Sequence, residues 1–185
     1  MTVLKKAENV AGGGTTPTDR TTLYAQDWNN LVIKANQFSP LEFWRNVLVY
    51  AGFVTQTSSD NYAWNGIAWA PALGLFCAVA TSGTGERVMT SPDGITWTTR
   101  TTPADNAWTF VTWSPELNLF CAVARSGTGN RVMTSPDGIT WTTRASSANL
   151  LWLGITWAPA LGLFCAVAIS GSGNRVATSR IISTS

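Results

Sequence analysis

The feature that most constrains this chain is an internal repeat of 44 residues. Trp69, Trp113 and Trp157 fall at that interval, as do Cys77, Cys121 and Cys165, and Arg87, Arg131 and Arg175. The segment Ser82–Trp97 recurs as Ser126–Trp141 with one change, Glu86 to Asn130. A fixed period of this length is the mark of an architecture built from stacked supersecondary units, each unable to bury its apolar faces alone.

Within one period the pattern reads as four short strands. In the middle copy, Trp108–Trp113 is apolar and aromatic, and Ser114-Pro-Glu-Leu-Asn118 is a turn with Pro at its second position. Leu119–Ala124 is a continuous apolar run, the signature of a strand covered on both faces. Ser126–Asn130 reads as a loop, Arg131–Ser135 as a third strand, Pro136-Asp-Gly138 as a tight turn and Ile139–Arg144 as a fourth strand. The expected fold is all-β: a propeller-like array of three 44-residue, four-stranded blades, covering about 61–104, 105–148 and 149–185.

Ser91-Pro-Asp-Gly-Ile-Thr-Trp97 and Ser135-Pro-Asp-Gly-Ile-Thr-Trp141 resemble the Asp-box of sialidase-type β-propellers, Ser-x-Asp-x-Gly-x-Thr-Trp, with one residue fewer between Asp and Gly. At the third position, Thr178–Ser185, only the Ser is kept. The resemblance implies a structural hairpin. Asp93 and Asp137 would accept turn hydrogen bonds beside Ser91, Gly94, Ser135 and Gly138, and Trp97 and Trp141 would pack under the turn. Blades ending in this motif also look like repeats of bacteriophage virion proteins, which implies a tail, fibre or head-decoration subunit.

The third copy lacks a convincing fourth strand, while the segment before the first copy supplies a spare one in register. Phe53 lies 44 residues before Trp97, so residues 51–58 align with a fourth strand. That segment is expected to close the array by pairing near Arg175–Ser179, within the chain or across subunits, because an open sheet edge invites aggregation. Three blades fall short of the four to eight usual in propellers. A homo-oligomer is therefore expected, with a trimer favoured.

Residues 1–50 do not repeat, and they read as an arm with a short helical part. Ala11–Thr18 has linker composition. Thr22 caps an expected helix to about Gln37, with Tyr24, Trp28, Leu31 and Val32 on one face. Ser39-Pro-Leu-Glu42 is a capping box that opens a second short helix to about Arg45. Tyr24, Trp28 and Trp44 either pack on the β-domain or form a docking face for other virion proteins.

The residue inventory bears on chemistry. The chain has no histidine, which removes the Ser-His-Asp and Cys-His arrangements and His-liganded metals. Three cysteines 44 apart on apolar strands have no zinc spacing, and they read as small buried residues. The arginines are symmetric, one per blade, rather than clustered as a sialidase site requires. No enzymatic activity, cofactor or metal is expected. With 12 Lys+Arg against 10 Asp+Glu there is no strong field for nucleic acid, and no apolar run spans a bilayer. The start, Met1–Glu8, lacks the apolar stretch of a secretory leader, so synthesis in the host cytoplasm and residence in the virion are expected.

Two functional expectations remain open. The first is a non-enzymatic virion structural protein that docks by its arm, displays the repeats and in some cases binds a host-surface glycan. The second is a free-standing carbohydrate-binding lectin. The copies differ most in the stretches joining one blade to the next, such as 102–110 and 146–154, which end at Trp64, Trp108 and Trp152. These three aromatics are the candidate ligand contacts, either stacking on sugars or packing in the core.

Overall fold

A computed structural model describes residues 53–179. Cα packing divides the chain between Val54 and Thr55, and the repeat unit from Thr55 onward is the subject here. The expected arm helices, with Tyr24, Trp28 and Trp44, lie outside the described residues.

The described residues form eleven strands: β1 Trp64–Ala70, β2 Leu75–Ala80, β3 Val88–Ser91, β4 Thr98–Arg100, β5 Trp108–Ser114, β6 Leu119–Ala124, β7 Val132–Ser135, β8 Thr142–Arg144, β9 Trp152–Ala158, β10 Leu163–Ala168 and β11 Val176–Thr178. They make three antiparallel sheets, ordered β1-β2-β3-β4, β5-β6-β7-β8 and β9-β10-β11. The register repeats with the sequence: Trp69 lies opposite Phe76, Trp113 opposite Phe120 and Trp157 opposite Phe164. Each Trp–Phe pair packs across its strands with tilted or edge-on rings, the centroids 4.4, 4.7 and 4.8 Å apart.

The sheets are arranged like propeller blades. β1 packs on β5 and β5 on β9, so the middle blade is sandwiched. One apolar cluster, including Val79, Val88, Trp108, Val111, Trp113 and Phe120, lies between the first two blades. A second, including Cys121, Val123, Trp152, Ile155 and Phe164, lies between the second and third. Gly66 is required at the first of these contacts: a Cβ there would meet the Phe110 Cα at 2.6 Å. Bulges at Trp64/Gly66 and Trp108/Phe110 shift the register where the inner strands approach.

Two details differ from the sequence expectations. The fourth strand is shorter than Ile139–Arg144, because the Ile139 and Thr140 N–H groups are bonded to the Asp137 carboxylate and cannot join a ladder. Among the described residues the closing strand is not formed within the chain. Residues 55–58 have no strand conformation, and β11 has no second neighbour among the described residues.

Candidate functional site

Chemistry in a repeat domain would be read first from its recurring polar groups, and the aspartates and arginines among them are bonded into the scaffold, whereas the Thr102 and Ser146 hydroxyls and the Trp113 indole N–H are buried without a partner. The Ser91 hydroxyl donates to Asp93 Oδ1 at 2.9 Å and accepts from the Gly94 N–H at 2.8 Å. Asp93 Oδ1 also accepts from the N–H groups of Ile95 and Thr96, both at 2.8 Å. Ser135, Asp137, Gly138, Ile139 and Thr140 repeat the arrangement. Gly94 and Gly138 have φ of 73° and 74°, which favours glycine at this position. Trp97 and Trp141 donate their indole N–H back to the carbonyls of Gly94 and Gly138. Trp141 is buried, whereas Trp97, in the first blade, is half-buried.

These bonds set the carboxyl pKa values. The Thr96 and Ile95 N–H groups and the Ser91 hydroxyl stabilise the Asp93 carboxylate and bring its pKa down to about 2. For Asp137, partial burial acts to raise the pKa. The Thr140 and Ile139 N–H groups and the Ser135 hydroxyl outweigh it, and the carboxyl sits below its usual range.

The arginines clamp loops. Arg87, Arg131 and Arg175 each donate Nε to the carbonyl four residues earlier, of Gly83, Gly127 and Gly171, at 2.7–2.8 Å. Arg131 also donates to the Leu150 carbonyl, tying the second blade to the stretch entering the third. The joining stretches are latched further. The Asp105 side chain accepts from the Gly85 N–H at 2.6 Å and Asn149 from the Gly129 N–H at 2.7 Å. Cys77 and Cys121 are buried. Desolvation pushes the Cys77 thiol far above its ordinary pKa and Cys121 up to about 12, the latter against the opposing charge of Arg144.

Of the candidate ligand contacts Trp64, Trp108 and Trp152, the latter two take the core alternative. Trp108 and Trp152 are buried in the two inter-blade clusters and donate their indole N–H to the Ala104 and Ala148 carbonyls. No ring face remains for a sugar. Trp64 makes the same bond to the Asp60 carbonyl and is half-buried beside Tyr62.

The sequence did not point to a hollow of about 610 Å³ formed by the inner strands and open to solvent, lined by Ile67, Trp69, Phe110, Thr112, Thr156 and Val167 among others. No charged residue lines it. Its walls combine residues distant in sequence, so periodicity alone carried no signal for it.

The fold and these sites can be compared with known proteins. No protein-family model matches the chain, and no curated protein does. A chain of the solved structure "Crystal structure of Nidogen/Laminin Complex" is similar at 15% identity, with a TM-score of 0.49, over 64% of this chain and 44% of that one. This chain thus spans less than half the length of that neighbour.

Proposed function

We propose that this chain is a non-enzymatic structural protein of a bacteriophage particle, a tail, fibre or head-decoration subunit. Residues 1–50 would dock on other virion proteins and the blades would be displayed outward. The observation that carries the reading is the use of the recurring polar groups. Asp93 and Asp137 hold turns, Arg87, Arg131 and Arg175 hold loops, and Cys77 and Cys121 fill the core. A domain whose recurring aspartates and blade arginines serve its own backbone is suited to a scaffold. The virion assignment adds the resemblance of the Ser-Pro-Asp-Gly-Ile-Thr-Trp repeats to those of phage particles.

The lectin reading is weaker because Trp108 and Trp152 are core residues. Immunogold labelling of purified particles with an antibody raised against residues 53–179 tests the proposal. Label at a defined part of the particle is expected, and deletion of residues 1–20 should abolish it. Protein found only in the particle-free fraction would overturn the virion role. Micromolar binding on a glycan array by that free protein would favour the lectin.

A further inference from the structure

Each blade has two unlike faces. One carries the inner-strand Trp and its apolar neighbour and packs on the preceding blade; the other carries the Cys-x-Val of the second strand and packs on the following blade. Equivalent positions should therefore be equally buried unless a neighbour is missing. On the leading face, Val111 and Ile155 are 1% and 7% exposed, but Ile67 is 54% exposed. Trp113 is 7% exposed, but Trp69 is 42% exposed. On the trailing face, Val79 and Val123 are 0% and 1% exposed, but Val167 is 50% exposed. Val88 is buried and Val132 half-buried, whereas Val176 is exposed. Among the described residues, the first blade thus presents an open leading face and the third an open trailing face, and these are the two surfaces that mate twice inside the chain.

We infer that two copies of this chain associate head to tail, the leading face of the first blade of each seating on the trailing face of the third blade of the other, to close a six-bladed ring. The blade count selects two copies. One copy supplies three blades and three copies nine, both outside the four to eight of closed propellers, whereas two supply six. Such a contact joins unlike surfaces and remains soluble only if the ring closes.

The joining stretch supports the same seam independently. Asp105 and Asn149 accept from Gly85 and Gly129 of the preceding blade, and the N–H groups of Thr102 and Ser146 donate to the Gly85 and Gly129 carbonyls. One period earlier stand Asn61 and Ser58; one period later than Gly129 stands Gly173. Trp64 already bonds to the Asp60 carbonyl as Trp108 does to Ala104. Residues 60 and 64 therefore make the indole bond of a joining stretch. The glycine this stretch would latch in the ring is Gly173 of the second copy. In the same register Thr55 and Gln56 lie opposite Ala177 and Val176 of that copy, supplying the strand that β11 lacks, as Thr99 and Arg100 do for Met89 and Val88. The inference holds whether or not the chain belongs to a virion.

Light scattering of the full chain at micromolar concentration should give twice the chain mass of 19.8 kDa. Ile67→Glu and Val167→Glu, each at a half-exposed position, should each halve that mass while leaving the β circular-dichroism spectrum unchanged. Mixing the two variants should restore dimer, because one seam then pairs the intact Ile67 face of one variant with the intact Val167 face of the other. A monomeric wild type, a trimer or an open polymer would overturn the six-bladed ring. Dimers that survive both substitutions, or fail to reform on mixing, would overturn the head-to-tail seam.

Discussion

Replacing Trp108 with alanine separates a core role from a ligand role. Trp108 is fully buried, sits in the cluster between the first two blades and donates its indole N–H to the Ala104 carbonyl. A buried aromatic removes about 150–250 Å² from water. At about 25 cal/mol per Å² that amounts to about 4–6 kcal/mol, an upper bound because the unfolded chain already buries part of that area. Measured Trp→Ala losses in cores run about 3–5 kcal/mol. For a chain of this length each kcal/mol lowers Tm by roughly 2–4 °C, so Trp108→Ala should melt about 6–20 °C below the wild type. Urea unfolding followed by circular dichroism measures the same loss as a lower midpoint. An unchanged Tm together with lost glycan binding would refute the argument and return Trp108 to a ligand surface.

Four further outcomes follow from the same geometry. Asp137→Ala, which removes the acceptor for Ile139, Thr140 and Ser135, should cost about 1–2 kcal/mol in urea unfolding, and Asp137→Asn should cost less because it keeps an acceptor oxygen. The Asp93 carboxyl is depressed to about 2, so its contribution is fully present above the unfolded value near 4; it should be lost as pH falls from about 4 toward 2, and removed from the pH profile in Asp93→Asn. In the Val167→Glu variant, whose trailing face is uncovered, a thiol reagent should modify the half-exposed Cys165 before the buried Cys77 and Cys121, and all three after unfolding; equal rates in that variant would contradict the blade packing. Gly66→Val should destabilise the contact between the first two blades, because the added Cβ would lie 2.6 Å from the Phe110 Cα and force the backbone there to shift.

Much of the blade was legible because its signals are local and repeated. The apolar Leu-Phe-Cys-Ala-Val-Ala run gives a strand whose observed limits, Leu119–Ala124, match the limits read from sequence. Turn chemistry located the hairpins, since Pro fixes φ, Gly permits a positive φ and Asp bonds the turn N–H groups whatever surrounds them. The fourth strand was overextended because alternation of Ile139, Thr140 and Trp141 looks the same whether the N–H groups face a ladder or a carboxylate.

What the sequence determined by itself was the period, the four-strand unit and the residue types at each position, because repetition within one chain reveals them without a partner. Only the tertiary structure decided which copies of a position are buried. Val79, Val123 and Val167 are the same residue in the same context, yet only the last stands half open, since burial depends on whether another blade lies against it. It also decided that Trp108 and Trp152 belong to the core, because an indole at the end of a joining stretch can point toward solvent or between sheets, and packing selects the latter.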